Sequence, residues 1–167
     1  SRRIKLIDTL IGTGFPFRMF EHMDAYVAMM KDLMTRTAGI RRPGAAALDL
    51  AAVAAGRLDG FWEIGLSPWD MAAGVLMIQE AGGLVGDLRG EDRYLERGDI
   101  VAGNPKIFAQ LLHVIQPHLT PALREAAARE ADGATVSRLG ASVAPGAALA
   151  SAVTWLETQP MRREAVV

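Results

Sequence analysis

Hydrophobic positions along this chain alternate between strand-like runs and a helix-like stripe. Lys5–Leu10 has the pattern of a short strand and is followed by a turn rich in Gly and Pro, residues 12–16. Up to Gly39, apolar residues then recur at spacings of three and four, which predicts an amphipathic helix. Its stripe either packs in the core, the interpretation we favour, or lines a pliable groove, and it consists of Phe20, Met23, Val27, Met30 and Met34.

The middle of the chain predicts a buried helix followed by a strand. Arg41–Gly44 interrupts the chain, and Ala45–Ala55 is apolar except for Asp49. A short helix that is apolar on nearly all sides is expected to be buried on most of them, and Gly56 suits its C-terminal end. Leu58–Ile64 is rich in aromatic residues and is predicted to be a strand.

The following segments continue the alternation of helices and strands. Pro68 suits the first turn of a helix that runs to about Glu80. Strands are predicted at 84–88 and 99–103, joined by a charged, hairpin-like connection at 89–98, and a helix at 105–114 follows. This order predicts an α/β sandwich built in layers.

Composition changes near Leu123, which divides the chain into residues 1–122, an α/β portion, and residues 123–167, an Ala- and Gly-rich tail. Short helices are predicted at 123–131 and 148–157, separated by a segment at 133–147 that is rich in Gly, Ala, Ser and Val. We expect this tail to be partly helical, or mobile and loosely docked.

The bulk composition narrows the class of protein without naming a function. The chain has 167 residues, 50% of them hydrophobic, and a net charge of −1, which fits one globular domain with no general attraction to nucleic acid. It contains no cysteine, which excludes disulfides and fits a reducing cytoplasm. No signal peptide is evident, and because the first residue is not Met we expect a fragment or a processed product.

Two acids and one turn carry the candidate chemistry. Glu63 ends the aromatic strand, and Asp70 lies seven residues later in the first turn of the next helix. Such a pair could perform acid–base work or share a hard cation, although an acid in a first turn also serves as a helix cap. The turn Gly44, Ala45 and Ala46 offers free backbone N–H groups to an anion or a hydroxyl, or is an ordinary helix start.

Other polar residues are weaker candidates. Asp49 is expected to be a buried, hydrogen-bonded acid. His113 and His118 are separated by Pro117 and do not share a helix face, which disfavours a metal site. Arg41 and Arg42 either contact phosphate, RNA or a subunit partner, or are solvated. The sequence contains no P-loop, dinucleotide-binding glycine motif, nucleophile elbow or zinc signature.

Taken together, the segments in residues 5–122 closely resemble the C-terminal half of the inositol monophosphatase family, with its bacterial branch nearest. The resemblance rests on the order and spacing of Gly39–Leu50, Ala54–Glu63, Trp69–Gly74, Glu80–Gly83 and Asp99–Pro105. It implies a layered αβαβα sandwich, of which this chain holds only the C-terminal portion.

The resemblance also implies Mg²⁺-dependent hydrolysis of phosphate monoesters, most often inositol 1-phosphate, by a cytoplasmic homodimer. Asp70 matches a metal ligand of the family, and Glu63 matches the acid that binds sugar hydroxyls. Gly44, Ala45 and Ala46 match the turn that contacts the substrate. No residue of this chain matches a catalytic group.

Two features of the family are absent from the sequence: a Glu-Glu segment and an Asp-Pro-(Ile/Leu)-Asp-Gly-Thr motif, which supply its other metal ligands. We therefore expect the chain to be inactive alone. Two alternatives stand beside the phosphatase interpretation: a non-enzymatic role with the transcription machinery, since some bacterial members of the family have one, or an inactive truncated product.

Overall fold

The computed structural model describes residues 1–125, which form one mixed five-stranded sheet with helices on both faces. Its strands are β1 (Leu10–Thr13), β2 (Gly39–Arg41), β3 (Gly60–Ile64), β4 (Leu84–Gly86) and β5 (Asp99–Gly103). Its helices are α1 (Met23–Arg36), α2 (Ala46–Ala54), α3 (Pro68–Glu80), α4 (Tyr94–Arg97), α5 (Pro105–Ile115) and α6 (Pro121–Glu125). None of the helices in residues 1–125 combines the length and the apolar character that a membrane span requires.

The strand order is β2-β1-β3-β5-β4. β1 runs parallel to both β2 and β3, whereas β5 is antiparallel to β3 and β4. The carboxyl ends of β1, β2 and β3 therefore lie at one edge of the sheet. Because α2 and α3 directly follow β2 and β3, both helices begin at that edge, where ligands bind in many open α/β sheets.

Each face of the sheet has its own hydrophobic core. Buried residues of α1 and α5, among them Tyr26 and Leu111, join Trp62 in one cluster. Residues of α2 and α3, such as Leu50 and Met71, join the neighbouring Phe61 in the other. Successive strand residues point to opposite faces, which is why Phe61 and Trp62 enter different cores.

A glycine lets α2 and α3 lie close together. A Cβ added at Gly74 of α3 would come within 2.4 Å of Leu50 Cβ on α2, so any larger residue would push the helices apart. This close packing holds the two helix starts beside each other at the sheet edge.

The N-terminal strand lies later in the chain than the pattern predicts. Leu6–Asp8 forms a 3₁₀ turn, and β1 begins only at Leu10. The reason is visible in the contacts: Asp59 Oδ2 accepts the Leu10 N–H at 2.7 Å, and Gln110 accepts the Leu6 N–H at 3.0 Å. Distant side chains thus set where the strand starts.

The face of α1 that packs in the core also differs from the predicted stripe. The buried residues are Ala25, Tyr26, Met29 and Leu33, while Phe20 is 69% exposed and Met34 is 62% exposed. Met23, Val27 and Met30 pack only at the margin. Core packing of the whole stripe was therefore wrong at its two ends, because the true buried face is rotated by roughly one position.

The remaining predictions of helices and strands were confirmed for some elements and wrong for others. α3, α5 and β5 are confirmed within one residue, whereas β2 was missed and the charged connection contains α4. α2 is buried only through Asp49, Leu50 and Val53, and its Leu48 is 71% exposed, so burial on most sides was wrong. The helices predicted at 123–131 and 148–157, and the segment between them, lie wholly or mainly outside the described residues.

Candidate functional site

Glu63 lies near the end of β3, half-buried at the sheet edge from which α2 and α3 begin. Burial, the negative charge of Asp49 and that of Asp70 raise the pKa of Glu63 to about 7, and the positive charge of Arg42 partly offsets them. Two acids and one cation from different parts of the chain therefore act on Glu63 here. A carboxyl group with such a pKa exchanges a proton near neutral pH and can either donate or accept a hydrogen bond.

The loop after β1 forms a wall against Glu63. A Cβ added at Gly14 would lie 2.0 Å from Glu63 Oε1, so only glycine allows the carboxyl group its position. Further along the loop, a Cβ added at Gly65 would lie 3.2 Å from Met19 Cγ, and Arg18 Nη1 donates to Ser67 Oγ at 3.2 Å. The loop therefore follows the path of the chain from β3 to α3.

Asp70 occupies the first turn of α3. Its Oδ2 accepts the backbone N–H of Ser67, the N-cap residue, at 2.9 Å, and an acid at this end of a helix also suits the helix dipole. The side chain is half-buried, and its neighbour Trp69 is 63% exposed. One oxygen of Asp70 thus caps the helix, which leaves the other oxygen to coordinate a cation.

The turn between β2 and α2 has the conformation that an open helix start requires. Gly44 has a φ of +98°, which favours glycine. Ala45 is the extended N-cap residue, and no side chain caps the helix there. Asp49 accepts a hydrogen bond from the Ala45 backbone, while burial raises the pKa of its carboxyl group. The prediction that Asp49 is a buried, hydrogen-bonded acid is confirmed: it is 3% exposed.

The residues present give only part of a metal site. Carboxylate oxygens suit Mg²⁺, and Asp70 offers one. However, residues 1–125 contain no group of three or more acidic, His or Cys side chains that could hold a metal ion. The described part of the chain therefore supplies a single candidate ligand.

The structure brings together Glu63, the first turn of α3 and the Gly44–Ala46 turn at one sheet edge, as the sequence suggests. It places His113 on the surface, and His118 next to Asp32 at 3.1 Å. Sequence reasoning missed the loop at residues 14–19. Its signal was a Gly- and Pro-rich segment with two aromatic residues directly after a strand, which is typical of a loop that lines a site.

A mixed sheet covered by helices on both faces, with acids at or just beyond the carboxyl ends of its parallel strands, is typical of an α/β protein that binds a ligand at that edge. The chain belongs to the inositol monophosphatase family, whose model matches residues 8–120. This confirms the resemblance seen in the sequence.

Individual relatives agree with the family match. The chain is 60% identical over 126 residues to the Nus factor SuhB of Pseudomonas aeruginosa, covering 74% of this chain and 46% of that protein. It is 50% identical over 118 residues to the inositol-1-monophosphatase of Mesorhizobium japonicum, covering 71% of this chain and 44% of that protein.

Solved structures show the same fold. The extragenic suppressor protein suhB of Bartonella henselae superimposes with a TM-score of 0.68 at 44% identity, covering 71% of this chain and 45% of that structure. Inositol monophosphatase from Anabaena gives 0.66 at 41% identity, covering 70% and 46%. The chain thus spans a little under half the length of the relatives it matches and contains only part of their fold.

Proposed function

We propose that this chain forms one wall of a Mg²⁺-dependent phosphomonoesterase site that converts inositol 1-phosphate to inositol and phosphate. The convergence of Glu63, Asp70 and the Gly44–Ala46 turn at one sheet edge, in a member of this family, carries the proposal. Glu63 and the N–H groups of the turn would bind polyol hydroxyls, and Asp70 would bind the metal ion.

When bound, Mg²⁺ would activate a water molecule and stabilise charge on the phosphate oxygens. This chain's own contribution would be orientation. Glu63, neutral or ionised near its pKa of about 7, can donate to or accept from a hydroxyl. We assign no catalytic residue within the described chain, and we propose that the remaining ligands come from outside it.

The test uses two proteins: the 167-residue chain, and an extended chain in which the N-terminal portion of the Pseudomonas aeruginosa relative precedes residue 1. Phosphate release from inositol 1-phosphate is measured as Mg²⁺ is raised. We expect turnover by the extended chain and almost none by the 167-residue chain. Robust turnover by the latter would disprove the claim of incompleteness.

Asp70→Asn in the extended chain isolates the metal role. Asn keeps the size of the side chain and can still accept the Ser67 N–H, so the helix cap is retained. We expect the Mg²⁺ requirement to rise at least tenfold with little change in thermal unfolding. Asp24→Asn, an exposed acid in the first turn of α1, is the matched control. An unchanged Mg²⁺ titration would remove Asp70 from the site.

A second candidate is a binding role with the transcription machinery in the cytoplasm, which the name Nus factor of the Pseudomonas aeruginosa relative favours. The exposed pair Arg41 and Arg42 is a candidate contact for such a partner or for a second subunit. The test neutralises both arginines and measures retention of RNA polymerase with its Nus factors, and the oligomeric state. No change in either would leave the pair without this role.

A further inference from the structure

Two adjacent arginines follow one another at the end of β2, yet their side chains take different directions. Arg41 Nη1 donates to the carbonyl oxygen of Ile40 in its own strand at 3.0 Å. Arg42 Cζ instead lies 4.9 Å from the ring centre of Phe15 and 5.3 Å from that of Phe17. Arg42 therefore lies against the loop that walls Glu63, and Arg41 does not.

The aromatic contacts hold the Arg42 guanidinium in place. Phe15 packs edge-to-face against Phe17 at 5.7 Å and against the buried Tyr26 at 5.8 Å. A guanidinium that lies against aromatic rings keeps its N–H groups free to bind an anion with two parallel hydrogen bonds. Among residues 1–125, no partner takes a hydrogen bond or an ion pair from Arg42, so the described residues leave its N–H groups to a ligand.

The charge of Arg42 also acts on two acids of the site. It partly offsets the rise in the pKa of Glu63 and of Asp49, the acids beside the turn, which burial causes in the first place. β1 lies between β2 and β3 in the sheet, so the loop after β1 leaves the sheet between the strand that precedes Arg42 and the strand that carries Glu63.

We propose that Arg42 is a specificity-determining residue that binds a second anionic group, a carboxylate or a phosphate, on the polyol or sugar phosphate. The proposal rests on the proposed function, because the reacting phosphate is taken to bind on the Asp70 side. It predicts a preference for doubly anionic substrates over singly anionic ones of the same shape.

Glucuronic acid 1-phosphate and glucose 1-phosphate are a matched pair of probes, since they differ only in the carboxylate or hydroxymethyl group at C6. In the extended chain we expect kcat/KM to favour the acid about tenfold, as a charge-assisted, paired contact would. Arg42→Gln should reduce that ratio to about one, and Arg42→Lys should retain part of it.

Arg41→Gln is the matched control because it removes the same charge one residue away. We expect it to preserve the preference. An Arg42→Gln protein that keeps the ratio overturns the proposal, as does an equal loss in both variants, which would indicate net charge alone. Both side chains are exposed, and thermal unfolding of each variant checks that the fold is kept.

A binding arm separates failure of this proposal from failure of the proposed function. The two probes are titrated without Mg²⁺ into the 167-residue chain and its variants, and the amide and arginine side-chain NMR signals are followed. If the extended chain hydrolyses neither probe but the acid still binds more tightly through Arg42, only the phosphatase function fails. If neither protein distinguishes the probes, the role of Arg42 is disproved.

Discussion

Two groups of acidic side chains in residues 1–125 are each accompanied by one arginine. Where β4 and β5 pair, Arg97 Nε lies 3.2 Å from Asp87 Oδ2 and 3.4 Å from Asp99 Oδ1, and all three side chains are at most 5% exposed. Arg97 also donates to the Leu123 carbonyl oxygen. At the candidate site, Arg42 is exposed and stacked on aromatic rings, and it is not paired with Glu63.

The difference lies in what each arginine is positioned to do. A buried guanidinium between two carboxylates holds parts of the chain together, and its removal leaves uncompensated charge. A stacked guanidinium beside unpaired acids leaves both signs of charge open to a ligand. The pKa is raised by burial at both places, in Asp99 and in Glu63, so a shifted pKa alone does not identify the functional group.

The largest expected effect separates the two arginines. Arg97→Met should lower the free energy of unfolding by about 3–5 kcal/mol, because it leaves two buried carboxyl groups without their counter-charge. Arg42→Met should cost about 0.5–1 kcal/mol, the size of an exposed cation–π contact. Urea unfolding of the two variants measures both values. Adding Asp99→Asn to Arg97→Met should restore part of the loss, and similar losses for the two single variants would contradict the comparison.

The next effect concerns Glu63 and pH. Its pKa is about 7 in the folded chain against an ordinary 4.5, so the folded state retains a proton that the unfolded state releases. Stability should therefore fall as pH rises from about 4.5 through about 7, by about 1–3 kcal/mol after allowance for partial exposure. Urea unfolding at pH 5 and pH 8, in EDTA, tests this dependence.

Glu63→Gln is the variant that assigns this pH dependence to one residue. It should remove the dependence and make the chain more stable than the wild type at pH 8. The comparison variant is Asp59→Asn, which changes a half-buried acid outside the candidate site. A pH dependence that survives in Glu63→Gln would place its origin elsewhere.

A smaller effect tests the wall formed by the loop after β1. Gly14→Ala places a methyl group where the Glu63 carboxyl group lies, and we expect a loss of about 1–2 kcal/mol because Glu63 is able to shift. In the extended chain, we also expect KM to rise, by more than the loss of stability alone would cause. Gly39→Ala, whose added Cβ would meet its neighbours at 3.4 Å, should be nearly neutral. Equal effects of Gly14→Ala and Gly39→Ala would contradict the claim that the loop after β1 forms a wall against Glu63.

The smallest effect comes from an acid outside both groups. Asp32 on α1 pairs with Arg36 and with His118 at the surface, and these hydrogen bonds lower the pKa of Asp32. Because the pKa of Asp32 is lower in the folded chain than its ordinary value, the charged side chain stabilises the fold when the pH is above that ordinary value. This stabilisation is lost as the pH falls through the folded-state pKa. Asp32→Asn should cost at most about 0.5 kcal/mol at pH 7, since exposed pairs contribute little. A loss above 2 kcal/mol in urea unfolding would show that solvent does not weaken this pair.

Local patterns were sufficient for the elements whose boundaries depend on nearby residues. Pro68 and Pro105 begin α3 and α5, and Gly103 ends β5, each as the sequence indicates. The family resemblance rested on the same segments and is confirmed. β2 was missed because a three-residue strand is too short for a pattern, and it exists because β1 supplies its hydrogen bonds.

The order of residues was thus enough to predict the alternation of strands and helices, the family, and the identity of the candidate acids. The folded arrangement was needed to show which loop lies against Glu63, which of two adjacent arginines approaches that loop, and which acids are paired. The reason is physical: helix starts and turns depend on contacts a few residues apart, whereas burial and pairing of charge depend on elements distant in the chain. Arg41 and Arg42 have the same side chain, and only the position of Phe15 and Phe17 distinguishes them.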